Sequence, residues 1–237
     1  MSKLYFFRHG QASLGASNYD VLSSKGREQA KILGKYLATN HLQFDRAFVG
    51  PLARQKDTYK AVFDSYDQEQ MSFPKAEEVA GLKEHRGIET MKKALPELLE
   101  KNSFLRKLHK SSQENPDLAK TNMLLSFQYF LGEWSAGNIV VEDLPTWAEF
   151  REEVRQGLSH ILSQTGKGEN IAVFSSGGTI SAITAECLGL TSEKKVADLN
   201  FSIRNTAWTT FLYSNEKFNL LTFNELPHLD KELTTFI

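Results

Sequence analysis

The sequence predicts an α/β fold: a three-layer sandwich with a mainly parallel central sheet, helices on both faces, an antiparallel edge hairpin and a helical insertion. Three observations predict it. Short β-rich runs alternate with amphipathic stretches of helical period, the pattern of strand–helix–strand crossovers. Several of the runs end in polar, Gly-containing sequence, as strands do when they deliver loops to one end of a sheet. The alternation breaks once, between about residues 90 and 144, and near its end the chain has two β-rich runs separated by Ser214-Asn215-Glu216-Lys217.

Residues 3–7 read as a buried strand that presents Arg8-His9-Gly10 at its carboxyl end. A helix is expected from about Ser24, a good N-cap type, with Ala30, Leu33 and Leu37 on one face. Residues 46–49 form a second strand running into Gly50-Pro51. Pro51 suits a first helical position, and Leu52, Tyr59, Val62, Phe63 and Tyr66 fall on one stripe behind it. A third apolar segment, 78–82, leads into Lys83-Glu84-His85-Arg86-Gly87. The next stretch, 90–144, reads as a largely helical insertion with a polar turn region at 111–116. The helix from Trp147, carrying Phe150, Val154, Leu158 and Ile161, returns the chain to a fourth strand, 170–174. That strand enters Ser175-Ser176-Gly177-Gly178, and Ile180, Ile183, Thr184, Cys187 and Leu188 then follow helical spacing. Residues 206–213 and 218–223 close the sheet as an antiparallel edge hairpin.

A length of 237 residues supports one domain over 1–237, with the insertion at about 90–144 as its one irregular part. Against 28 Lys+Arg stand 29 Asp+Glu, so a net charge of −1 provides no field toward nucleic acid or an anionic membrane. The opening MSKLYFFRHG has too short an apolar run for a signal-peptide core or a bilayer span. The lone Cys187 reads as a small buried core residue, and the cytoplasm is the expected compartment. Composition carries no signal on oligomeric state.

In open parallel sheets ligands collect beyond the strand carboxyl ends. Four such ends here carry Arg8-His9-Gly10, Gly50-Pro51-Leu52-Ala53-Arg54, Glu84-His85-Arg86 and Ser175-Ser176-Gly177-Gly178. Two arginines hold phosphate oxygens without losing charge, and N–H groups entering the Gly177-Gly178 helix add donors. A neutral imidazole in that cradle is nucleophilic and can carry a phosphoryl group. No phosphate-binding P-loop, dinucleotide fingerprint, metal-ligand cluster or Gly-x-Ser-x-Gly elbow is present in the sequence, so neither metal nor cofactor is expected.

Phe7-Arg8-His9-Gly10-Gln11 resembles the Arg-His-Gly signature of the histidine phosphatases and the cofactor-dependent phosphoglycerate mutases. The segment from Tyr19 and Asp20 through Gly26, Gln29 and Ala30 is similar to the family's Leu-Thr-x-x-Gly-x-x-Gln-Ala block, and Gly50-Pro51-Leu52-Ala53-Arg54 to its Ser-Pro-Leu-x-Arg block. Further agreement runs through Leu82-Lys83-Glu84, Trp147-Ala148-Glu149-Phe150, Ser176 to Ile180, and residues 224–229. The resemblance implies that His9 accepts the phosphoryl group, that Arg8 and Arg54 clamp it, and that Glu84 protonates the leaving oxygen. Glu89 and Glu133 are rival carboxylates. Gln11, Ser13 and Gly177 are the implied substrate-binding positions, and a small phosphorylated metabolite or other phosphate ester is the implied ligand. The insertion would act as lid and substrate selector.

Ser176 departs from the family's Ser-His-Gly-Gly, so the second catalytic histidine is replaced. A serine hydroxyl donates one hydrogen bond but brings no charge, and losing one such group costs about two to three orders of magnitude in rate. Either the site is weakened, or it is rebuilt around the serine with His85, His228 or a water supplying the donor. The readings are a metal-independent phosphomonoester hydrolase working through a phosphohistidine at His9, a mutase-like phosphotransferase, or a weakly active phosphate-binding protein.

Overall fold

Strand β1 (Ser2–Arg8) alternates its side chains between two apolar layers, and that alternation organises the fold. The computed structural model describes residues 1–13, 20–214 and 217–236. Leu4 and Phe6 enter one core with Ile171 and Val173 of β4 (Asn170–Ser175). Tyr5 and Phe7 enter the other with Ala172 and Phe174. Strands that bury both faces need helices on both. The second core is closed by Leu33 and Leu37 of α1 (Ser24–Thr39) and by Val62 and Tyr66 of α2 (Ala53–Gln68).

The first core is closed on the opposite face by α5 (Ala119–Ser135), α6 (Trp147–Gln164) and α7 (Gly177–Leu188). Completing the sheet are β2 (Arg46–Val49), β3 (Ala76–Glu78), β5 (Trp208–Ser214) and β6 (Lys217–Glu225), in the order β3-β2-β4-β1-β5-β6. The first four in that order are parallel, while β5 and β6 run antiparallel at the edge, as the sequence predicts. Residues 90–144 are chiefly helical, lying within α3 (Gly87–Lys101), α4 (Ser103–Glu114) and α5. Phe130, Leu131 and Trp134 of α5 are fully buried, so the end of this segment is part of the core. A further helix, α8 (Glu193–Asn200), packs beside α7.

Several boundaries differ from expectation, each for a local reason. Ser23, not Ser24, caps α1: its hydroxyl accepts from the Gly26 N–H at 3.0 Å. Pro51 precedes the cap of α2, because the Gln55 carboxamide reaches back to the Leu52 N–H at 3.1 Å and starts the helix at Ala53. The third strand ends at Glu78 and the chain turns as a short 3-10 helix, Ala80–Leu82. Gly81 there packs against α6 so closely that an added Cβ would lie 2.9 Å from the Gly157 Cα. The polar stretch from Ser111 to Glu114 is helical, since α4 continues through it, and the turn begins at Asn115. Leu188 is exposed and Cys187 only partly buried, because Gly189 ends α7 in the left-handed region at φ 63°. Asn215 and Glu216 of the expected hairpin turn lie outside the described residues. No helix among the described residues is long and apolar enough to cross a membrane.

Candidate active site

The central strands β1 and β4 pair Arg8 with Ser175, so the loops that follow them leave the sheet side by side. The His9 N–H donates to the Ser175 carbonyl at 3.0 Å, and the Gly50 N–H, leaving β2, donates to the Phe174 carbonyl at 3.0 Å. The segment after β3 joins them, because the Leu82 carbonyl accepts from the Ser175 hydroxyl and from Gln55 Nε2, each at 2.8 Å. All four predicted strand-end motifs therefore meet at one end of the sheet. The loop carrying His9 is braced from behind: Gly10 and Gly26 approach so closely that an added Cβ on Gly10 would run into the Gly26 carbonyl. The Gln11 N–H donates to Gln29 Oε1 at 2.8 Å. That contact is why a Gly and a Gln sit three apart on α1.

His9 is 2% exposed and its tautomer is set by its partners. Nδ1 lies 2.7 Å from the Gly10 carbonyl, an acceptor only, so Nδ1 carries the hydrogen. Nε2 is left with its lone pair and accepts from Arg54 Nε at 3.0 Å. Burial, then the Arg54 and Arg8 guanidiniums, holds the ring's pKa well below the usual imidazole value. The outcome is a neutral imidazole with a basic nitrogen among fixed cations.

Arg54, 5% exposed, also donates from Nη1 to Asp20 Oδ1 at 2.8 Å, while Asp20 Oδ2 accepts the Ala53 N–H at 2.8 Å. Asp20 thus anchors both the side chain and the first turn of α2. Arg8, 6% exposed, donates from Nη1 to the carbonyls of Ile203 and Phe236. Gly177 lets it pass: an added Cβ would lie 3.4 Å from Arg8 Cζ and 2.6 Å from Asn200 Oδ1. Glu84 accepts at Oε1 from the His85 N–H at 3.0 Å and at Oε2 from the Gly178 N–H at 3.2 Å, which ties its carboxylate to the start of α7. Gln11 Oε1 accepts from the Ser23 hydroxyl at 3.0 Å, so this carboxamide also serves the cap of α1. The Ser13 N–H pairs with the Val21 carbonyl at 2.9 Å beside the bridge between Ala12 and Leu22.

Ser176 is fully buried and its hydroxyl accepts from Gln55 Nε2 at 2.8 Å. Neither histidine considered from the sequence is bonded to it. His85 stands beside Glu84, with Nε2 3.5 Å from Oε1. His228 stacks on Trp208 and donates from Nε2 to the Thr206 hydroxyl at 2.9 Å, that hydroxyl itself donating to the Asn205 carbonyl.

A family model, the histidine phosphatase superfamily (branch 1), matches residues 4–117 and 118–226. The chain belongs to the histidine phosphatase superfamily. Among curated relatives, a 2,3-bisphosphoglycerate-dependent phosphoglycerate mutase of Lactobacillus acidophilus is 39% identical over 74 residues, 29% of this chain and 32% of the relative. The chain thus spans about a third of the length of the curated relatives it matches. Among solved structures, a phosphoglycerate mutase from Bacillus anthracis str. Sterne superposes with a TM-score of 0.64 at 18% identity, over 96% of this chain and 94% of that one. A phosphoserine phosphatase from Entamoeba histolytica in complex with 3-phosphoglyceric acid gives 0.61 at 18%, over 96% and 99%. At such identities the likeness speaks for the fold.

Within this superfamily fold, three contributors to the site escape a reading of the sequence. Gln55, between Ser176 and the start of α2, reads as an ordinary helix residue. Asp20 lies inside the block from Tyr19 to Ala30 but carries no signal of its own. Asn205, whose Nδ2 donates to the His9 carbonyl at 3.2 Å, comes from a segment far away in sequence. Its neighbour Thr206 has φ 57°, and its N–H donates to the Arg8 carbonyl at 3.1 Å. A non-glycine residue held left-handed ahead of a strand is the one feature that marks this corner, and it is visible only in three dimensions.

Proposed function

We propose that this superfamily member is a phosphomonoester hydrolase acting through a phosphohistidine at His9. The observation that carries the reading is the His9 ring itself: hydrogen on Nδ1, lone pair on Nε2, charge suppressed, and a guanidinium already at the attacking nitrogen. In the first step Nε2 attacks phosphorus while the P–O bond to the leaving alcohol breaks. Glu84, protonated, gives its proton to that oxygen. In the second, water attacks the phosphohistidine, Glu84 takes a proton back, and the P–N bond breaks to release phosphate.

Arg54 exchanges the His9 nitrogen for phosphoryl oxygens as substrate arrives, and Arg8 contributes the second cation. Ser176 supplies a neutral donor where the family carries a histidine. Gln55 donates to both the Leu82 carbonyl and Ser176 Oγ, so the serine must accept from it and keeps its own hydrogen for a phosphoryl oxygen. Gln11, Ser13 and Gly177 border the substrate, a small phosphorylated metabolite, and the segment 90–144 selects it. Charge is balanced by guanidiniums and N–H groups, so the reaction proceeds without a metal.

The test is turnover of an aryl phosphate and of alkyl phosphates such as 3-phosphoglycerate, with acid-labile, base-stable labelling of the protein as the second readout. His9→Ala abolishes both. Labelling that survives His9→Ala, or turnover lost in EDTA and restored by a divalent cation, would falsify the mechanism. A mutase-like phosphotransferase is the second reading, favoured by the 39% identity over 74 residues to phosphoglycerate mutases. Transfer of label between phosphoglycerate isomers faster than release to water selects it.

A further inference from the structure

The ring of His85 is buried, and its chemistry is unaccounted for by a structural role. Its Nδ1 accepts from the Gly87 N–H at 3.2 Å, so the neutral ring carries its hydrogen on Nε2. That Nε2 is buried and has no hydrogen-bond partner among the described residues. The nearest acceptor is Glu84 Oε1 at 3.5 Å, beyond a good hydrogen bond and a few tenths of an ångström from one. Four aromatic rings enclose the imidazole: Phe150, Trp134, Trp147 and Phe127, with centroids 5.4, 5.7, 6.0 and 6.4 Å away. The imidazole is therefore held in place by its cage, and closing the gap takes a shift of a few tenths of an ångström by the Glu84 carboxylate within its two backbone hydrogen bonds. Gly178 keeps room for the pair, since an added Cβ there would strike Glu84 Oε1 and lie 2.6 Å from His85 Cδ2.

We propose that His85 is a positioning residue for Glu84, its Nε2–H closing on Oε1 in the working complex. Oε1 then receives two donors, the N–H and the ring N–H of His85, and stays the unprotonated oxygen. The transferable proton is confined to Oε2, which the Gly178 N–H holds at the start of α7. Burial, which lowers the imidazole's pKa, keeps the ring neutral and this polarity of donor and acceptor intact. An apolar ring in this cage would pack as well, so the unpartnered Nε2–H is what calls for a role.

This inference rests on Glu84 being the acid, and the experiment separates the two. The comparison is kcat/KM, which reports the phosphorylation step alone, for an activated aryl phosphate, whose leaving group departs without protonation, and for an alkyl phosphate, whose leaving group needs it. His85→Phe, which fills the cage without a donor, lowers kcat/KM on the alkyl ester by about 10-fold or more, a part of the roughly 100- to 10,000-fold that a general acid contributes. On the aryl ester it changes kcat/KM by less than about 3-fold, because phosphorylation by that ester needs no acid. His85→Gln, which restores an N–H donor, recovers part of the loss. His85→Leu serves as the donor-less variant if the phenylalanine protein fails to fold. Equal losses on both esters, no loss on either, or no recovery with glutamine would each overturn the role of His85. Glu84→Gln reports separately: if it leaves alkyl turnover intact, the assignment of Glu84 itself is wrong whatever the His85 variants do.

Discussion

At Ser176 the decisive neighbour is the residue that follows Arg54. Gln55 fills the space beside the serine and spends both amide hydrogens, on Leu82 and on Ser176. Gly50 abuts the same carboxamide so tightly that even a Cβ there would collide with it. A histidine at 176 therefore has to displace a buried, fully bonded group, so Ser176→His is expected to lower both turnover and Tm. Ser176→Ala leaves a buried amide hydrogen unpaired, a loss of about 1–3 kcal/mol in stability, and lowers turnover less than Ser176→His. Turnover that rises in the histidine variant would show that the pocket is a weakened ancestral one. His9 makes a second prediction at this scale. With its pKa held well below 6.5 by burial and two guanidiniums, the ring stays neutral where a free imidazole would begin to charge. The acid limb that His9 imposes on kcat/KM should lie below the usual imidazole range, and a limb centred at 6.5 would contradict the environment described for this ring.

At the scale of elements, the site depends on where helices begin. The capping box of α6 is reciprocal: Thr146 Oγ1 accepts from the Glu149 N–H at 3.2 Å, and Glu149 Oε2 accepts from the Thr146 N–H at 2.7 Å. This helix carries Trp147 and Phe150 against His85, so its start sets part of the wall around the Glu84 segment. Thr146→Ala should cost about 1 kcal/mol, within the usual range for a lost cap, read as a lower denaturant midpoint at unchanged m-value. The helix itself was legible in advance, because Phe150, Val154, Leu158 and Ile161 behind Trp147 form a local signal of helical spacing. The short third strand was not. Its end is forced by the contact of Gly81 with Gly157, about which the local pattern of apolar residues is silent.

Across the whole molecule, buried histidines link stability to pH. His228 is pushed down to about 4 by burial, and His9 and His85 are lowered for the same main reason. A folded-state pKa below the unfolded value of 6.5 means that the unfolded chain binds protons first. The contribution is full above pH 6.5 and is lost as pH falls from 6.5 toward 4. For His228 the full span is about 3 to 4 kcal/mol at most, at about 1.36 kcal/mol per pH unit. Unfolding free energy should therefore drop steeply between pH 6.5 and 4.5, and His228→Gln should flatten that slope. A wild-type profile that is level across this interval would show that these rings reach solvent in the folded state.

The sequence by itself determined the layers and the loops that meet at one end of the sheet. Period-two and helical apolar patterns are local, and strands buried on both faces require helices on both. The placement of Arg8, His9, Arg54 and Ser176 at strand ends follows from where those patterns stop. Tertiary structure decided which groups complete them. The hydrogen of His9 sits on Nδ1 because one carbonyl lies beneath it, Ser176 answers to Gln55 because β4 emerges beside α2, and the His9 carbonyl is held by Asn205 from almost the other end of the chain. Hydrogen-bond partners are chosen by distances of a few ångströms between segments far apart in sequence. Those distances come into being only when the sheet order β3-β2-β4-β1-β5-β6 brings the segments together.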